Sequence, residues 1–261
     1  MEMYDDLNTV QKSFDTDFLT EYLLQAQWAE FIELKKIITE LYIRKGGPLR
    51  VLDIGIGNAR VPKHLSGIQE IWDMIERYDG TDNSQTCVDL SRQVTVRLGI
   101  QDKVTAYFFD AADLDQWAKT YDLIITTWFT AGNFYPDDFP FDSYHQSEKN
   151  FDLTKNEKFT RIFSHAYALL APGGEVVIGS CYLDNEATRK KQEAFYSKAG
   201  MTIITRASDS FTATLERFWS QRFTEQQIQE YLAFIRPENI RFTPLDTYQY
   251  ALQVRIQSNV K

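Results

Sequence analysis

Apolar positions along the first part of the chain follow a helical rhythm. Across residues 16 to 44, Phe18, Tyr22, Leu23, Ala26, Trp28, Phe31, Ile32, Leu34, Ile37, Ile38 and Leu41 recur at that spacing, with a break near Gln25 to Ala29; this predicts one or two helices. Gly46, Gly47 and Pro48 stop the pattern. "LRVLDIG" then forms a short continuous apolar run, as expected of a strand buried on both faces. From there strand-like and helix-like runs alternate: a helix within about 59 to 75, a strand closed by "YDGTD", a helix from Ser84 to Leu98, the strand "VTAYFFD" and a short helix near Leu114 to Lys119. The strand "YDLIITTW", a helix from about Asn156 to Leu170, the turn "APGG" and the strand "GEVVIGSCY" follow. After a helix from Asn185 to Lys198, the β-rich segments "MTIITRA", "TATLERFWSQ" and "YQYALQVRI" surround the helical "FTEQQIQEYLAF". The alternation predicts an α/β, Rossmann-like doubly wound fold whose mainly parallel sheet ends in an antiparallel pair. The expected organisation is an N-terminal helical cap over 1–45 and a single domain over 46–261.

Composition narrows the functional classes. A net charge of −9 argues against a nucleic-acid binder, because phosphate binding depends on clustered Lys and Arg. The two cysteines, Cys87 and Cys181, stand far apart, so neither a disulfide framework nor a metal site is supported. "MEMYDDLNTVQKSF" has no apolar h-region. No apolar run approaches the roughly 18 residues of a membrane span. A cytoplasmic protein with a small-molecule partner is expected.

Candidate chemistry begins at "DIGIGNAR". Gly55 and Gly57 permit a tight turn and close approach of a ligand to the backbone. The first strand–turn–helix of an open parallel sheet usually lies at the ligand crevice. Three features separate this turn from a dinucleotide site. Asp53, two residues before the first glycine, would repel a pyrophosphate but accept hydrogen bonds from a cationic headgroup, directly or through water. Arg60 replaces the third glycine of G-x-G-x-x-G. Asp82, in "YDGTDNS", stands where an acid binds ribose hydroxyls. A nucleoside with a cationic tail fits all three. Asp82 and Asp110 also precede helical runs and fit helix N-caps, and Arg60 at a helix start fits an ion pair.

Taken together, "VLDIGIGNAR", "YDGTDNS", "FFDAADL", "YDLIITTWF" and "APGGEVVIGSCY" resemble the successive motifs of the class I S-adenosylmethionine-dependent methyltransferases, in order over about residues 49 to 182. The resemblance implies a seven-stranded sheet with an antiparallel last strand and S-adenosylmethionine as cofactor. It implies that Asp53, Gly55 and Gly57 surround the methionine end, and that Asp82 holds the ribose with Asn83 beside it. Asp110 and Ala111 would then meet the adenine, and Thr127 and Trp128 would close the pocket.

Methyl transfer is an in-line displacement, so positioning and water exclusion dominate and a general base is optional. The segment after the fourth strand, "TTWFTAGNFYPDDFPFDSYHQSEKNF", crowds aromatic residues with Asp137, Asp138 and Asp142 without regular period. It reads as a lid over about 128–152 that would favour a cationic or aromatic acceptor. The competing reading is a loop that buries its own aromatics as a satellite core. Trp128, Phe129, Asn133 and Tyr135 are the candidate acceptor-binding residues, with Asn133, Tyr135 and His145 as candidates for catalysis. His64 and His165 fall on predicted helices and read as structural. An N-terminal flap carrying Tyr4, Phe14 and Tyr22 would complete the closure.

The expected function is methyl transfer to a small molecule, nitrogen favoured. O- or C-methylation, a nicotinamide-dependent oxidoreductase and a non-catalytic S-adenosylmethionine-binding module are the alternatives. Asp53 and the missing third glycine disfavour the oxidoreductase, and the rich lid disfavours the non-catalytic module.

Overall fold

A computed structural model describes residues 21–245 and 250–258. Within them a single helix, α1 (Glu21–Lys45), runs unbroken through Gln25 to Ala29. The apparent break in the pattern has a simple cause. The buried face continues as Leu23, Ala26, Glu30, Leu34, Ile37, Ile38 and Leu41, with a small residue and an acid in two of its places. The remaining helices are α2 (Arg60–Ser66), α3 (Gln69–Asp73), α4 (Gln85–Leu98), α5 (Glu157–Ala168), α6 (Glu186–Lys198) and α7 (Glu225–Tyr231). The strands are β1 (Leu49–Ile54), β2 (Ile75–Asp82), β3 (Val104–Phe108), β4 (Tyr121–Thr126) and β5 (Leu170–Leu183), followed by β6 (Phe211–Ala213), β7 (Trp219–Phe223), β8 (Ile240–Pro244) and β9 (Ala251–Gln257).

The first five strands lie parallel in the order β3-β2-β1-β4-β5. Their side chains alternate between two cores, as period-2 geometry requires. Leu52, Ile54, Ile124, Val176 and Ile178 face α5 and α7. Val51, Leu123, Ile125 and Val177 face α1, α2 and α4. Both faces are therefore covered, which is why the strand sequences are continuously apolar.

The C-terminal strands account for the difference between seven and nine. β9 is antiparallel to β5, and β8 antiparallel to β9; with the parallel five they make the expected seven and the antiparallel last strand. β8 lies outside the segments the sequence marked as strand. The hairpin β6–β7 is added at the C-terminal end of β5, where Tyr182 and Leu183 pair with Arg222 and Phe223. "TATLERFWSQ" splits across this hairpin because Arg217 turns the chain at φ 66°, while "MTIITRA" makes only the bridge Ile203–Thr214.

The hairpin binds the segment after β4. Phe139, Phe141 and Tyr144 are buried with Phe211, Ala213 and Trp219, and Phe211 stacks on Trp219 at 4.0 Å. These lid aromatics form the satellite core. Tyr144 donates to Asp209 at 2.8 Å, and Arg206 donates to Lys149 O at 2.9 Å. No helix among the described residues is long and apolar enough to cross a membrane. Tyr4 and Phe14 of the expected flap lie outside the described residues. Tyr22 packs edge-on to Tyr250 at 4.9 Å.

Candidate functional site

Strand order reverses between β1 and β4, and an open α/β sheet binds ligands beyond the carboxyl ends of the strands at that point. A cavity lies there, lined by Gly55, Gly57, Asp82, Asn83, Asp110 and Ala111 together with Thr127, Trp128, Asn133, Tyr135, Arg60 and Lys158.

The glycine turn is fastened to β2. Gly55 N donates to Thr81 O at 2.8 Å, and Gly57 N donates to Asp82 Oδ2 at 3.0 Å. Gly55 (φ 80°) and Gly57 (φ 57°) both occupy the left-handed region. A Cβ on Gly55 would come within 2.6 Å of Thr130 Cγ2. Asp82 also accepts from Ser84 N at 3.0 Å. Helix α4 is capped by Ser84, whose side chain accepts from Cys87 N, so capping is not the task of Asp82. Each carboxylate oxygen accepts one of these bonds and retains a further lone pair. Burial pushes the Asp82 carboxyl up to about 6, against the lowering effect of the Ser84 and Gly57 N–H groups. Asp110 does cap the short 3-10 helix Ala111–Gln116, accepting from Ala112 N at 2.9 Å, and it lines the cavity as well.

Three of the expected residues stand elsewhere. Asp53 is off the cavity wall and buried, accepting from Tyr78 Oη at 2.6 Å. Its Oδ1 has no hydrogen-bond partner among the described residues. Burial pushes its carboxyl up to about 7, offset in part by the Tyr78 hydrogen bond and Arg60. Phe129 turns away at φ 59° and stacks on Tyr182 at 3.8 Å, inside a cluster with Leu23 and Ala26. His145 is exposed on the outer lid, 3.2 Å from Gln146 Nε2. The lid carboxylates also face outward: Asp137 pairs with Lys158 and Arg161, and Asp142 with Arg217.

Trp128 and Phe129 are consecutive non-glycine residues at positive φ, 55° and 59°, a conformation that costs about 1–2 kcal/mol per residue. Glu30, from α1, holds them. Its carboxylate accepts from Trp128 N at 3.0 and 3.2 Å and from the Ser180 hydroxyl, while Phe129 N donates to Ser180 Oγ at 3.1 Å. Arg60 lies 3.6 Å from Glu30 and 4.8 Å over the Trp128 ring. Gly179 makes room, since a Cβ there would sit 3.0 Å from Glu30 Cδ. No sequence pattern singles out Glu30, Ser180 or Lys158. The one legible signal was an acid on the apolar face of α1, between Ala26 and Leu34.

No protein-family model and no curated protein matches the sequence. Solved structures do match in fold. The CcbJ methyltransferase of Streptomyces caelestis aligns with a TM-score of 0.59 at 12% identity, over 98% of this chain and 98% of that one. The fold is that of the class I S-adenosylmethionine-dependent methyltransferases. A second protein of this fold, an S-adenosylmethionine-dependent methyltransferase from Clostridium acetobutylicum, gives 0.55 at 12% identity, again over 98% of both chains. Magnesium protoporphyrin IX methyltransferase of Synechocystis, with S-adenosylmethionine bound, gives 0.53 at 13% identity over 98% of this chain and 93% of that one.

The residues present fit the cofactor of that fold. Gly55 and Gly57 line the crevice without a side chain of their own, and Asp82 offers open acceptor positions. Asn58 Oδ1 and Thr81 Oγ1, on residues of the cavity wall, are buried with no hydrogen-bond partner among the described residues.

Proposed function

We propose that the protein is a methyltransferase that uses S-adenosylmethionine and acts on a small molecule. The observation that carries this reading is the Asp82 carboxylate, fixed by the N–H groups of Gly57 and Ser84 on the wall of the crevice beside the glycine turn. In this reading Asp82 receives the ribose hydroxyls, Asn83 stands beside them, and Asp110 and Ala111 border the adenine. Gly55, Gly57 and Thr127 border the amino-acid end. Bound there, S-adenosylmethionine supplies an electrophilic methyl on a sulfonium that leaves as a neutral thioether.

The chain's own part is positioning and water exclusion. Trp128, locked by Glu30, forms a fixed wall. Asn133 and Tyr135, on the cavity wall from the lid side, orient the acceptor. Nitrogen remains the favoured acceptor atom, because a neutral amine attacks with its own lone pair and releases its proton afterwards. The acidic lid gives that preference no support, since Asp137 is already held by Lys158 and Arg161, and Asp142 by Arg217. Asp53 and His145 have no direct part in this reading: Asp53 sustains the strand end through Tyr78.

Transfer of labelled methyl from S-adenosylmethionine to a panel of small amines, phenols and carboxylic acids tests the proposal. Labelling of at least one amine, with S-adenosylhomocysteine released in equal amount, is expected. A protein that binds the cofactor and labels no member of the panel contradicts it.

A further inference from the structure

Resting on that reading, we propose that Lys158 recognises a carboxylate on the acceptor, with Asp137 as its exchangeable counter-ion. Lys158 lies in the first turn of α5, whose cap Asn156 is tied to the lid through Phe134 O at 2.8 Å. Its place is therefore set by the lid and not by a mobile surface. The side chain is only 16% exposed and lines the cavity beside Asn133, Phe134 and Tyr135. Its ammonium sits 4.9 Å over the Tyr135 ring and 3.2 Å from Asp137 Oδ1.

A cation withdrawn this far from water needs a partner, because an unpaired buried charge is costly. Asp137 supplies one but is not bound to the task. It is 62% exposed and already holds Arg161 at 3.3 Å, and an exposed ion pair contributes little. An anion entering the cavity can take over Lys158 while Asp137 keeps Arg161 and its water.

The other charges leave Lys158 as the group that meets the acceptor. Arg60 is engaged by Glu30, and Asp82 and Asp110 line the end assigned to ribose and adenine. A protonated amine would be repelled by the ammonium, whereas a neutral amine carrying a carboxylate satisfies both Lys158 and the requirement for a free lone pair. The acceptor class is thus an aminoaryl carboxylate, whose aryl amine is neutral at physiological pH and whose ring suits the Tyr135 side.

The probes are 4-aminobenzoate and 4-aminobenzamide, titrated by calorimetry into the full chain with and without saturating S-adenosylhomocysteine. The acid is expected to bind about tenfold more tightly than the amide. Lys158→Met should erase that preference while leaving amide affinity and S-adenosylhomocysteine affinity unchanged, Lys158→Arg should keep most of it, and Asp137→Asn should widen it. Equal binding of acid and amide, absence of binding by the acid, or the same preference in Lys158→Met overturns the assignment. Loss of S-adenosylhomocysteine binding by the wild type would instead fail the methyltransferase reading, and the titration without it still decides the role of Lys158.

Discussion

Glu30 accepts the backbone N–H of Trp128 at 3.0 and 3.2 Å, one bond to each carboxylate oxygen. The pair ties the N-terminal helix to the turn that ends β4, across 98 residues of sequence. Removing the carboxylate strands the Trp128 N–H, the Ser180 hydroxyl and the Arg60 guanidinium in a buried place. Glu30→Ala should therefore lower stability by about 3–5 kcal/mol, and Glu30→Gln by less, since its amide oxygen still accepts. Urea unfolding measures both, and an unchanged midpoint in Glu30→Ala contradicts the assignment.

The crevice makes a pH prediction through Asp82. Its carboxyl is pushed up to about 6 by burial, and donors from a ribose favour the ionised form. S-adenosylhomocysteine affinity should be level at alkaline pH and fall about tenfold per unit well below pH 6. Calorimetry across pH 5 to 8 checks this, and a flat profile speaks against Asp82 as the ribose acceptor.

Asp53 makes a separate one, on stability alone. Its folded value of about 7 lies above the ordinary 3.8, so the folded state holds the proton more tightly than the unfolded chain. The wild type then loses stability as pH rises from about 4 to about 7, with the loss complete above that. Asp53→Asn abolishes this titration. Its stability relative to wild type should improve by a few kcal/mol between pH 4 and pH 8 in denaturant unfolding; parallel curves would show that Asp53 is not titrating there.

Much of this was legible because local rules governed it. The doubly wound order followed from continuous apolar runs alternating with helical ones, and the glycine turn from Gly55 and Gly57 in "DIGIGNAR". What escaped depended on contacts between distant segments. Glu30 reads as one more polar residue because its partners, Trp128 and Ser180, come from the turn after β4 and from β5. Asp53 and Phe129 sat in the right places along the chain, but a strand sends alternate side chains to opposite faces, and a positive φ turned the Phe129 ring to Tyr182. Lys158 belongs to the site through its contacts with the lid residues Tyr135 and Asp137, more than 20 positions away along the chain. The two added strands came from a hairpin whose aromatics serve the lid.

The lid's anchorage is testable by exchange. Arg206 donates to Tyr144 Oη at 3.3 Å, Lys149 O at 2.9 Å and Asn150 Oδ1 at 3.3 Å. Arg206→Met should raise amide exchange over residues 144–151 by about tenfold or more, while β1 and β4 stay protected. Uniform exchange in variant and wild type would mean that the Phe139, Phe141 and Trp219 cluster holds the lid alone.

The central claim is that the crevice beside Gly55 and Asp82 holds an S-adenosyl nucleoside. Calorimetric titration of S-adenosylhomocysteine into wild type and Asp82→Ala tests it most directly. Saturable one-to-one binding by the wild type, weakened by about a hundredfold or more in the variant, is the predicted result. No binding by the wild type, or equal affinity in the two proteins, would contradict it.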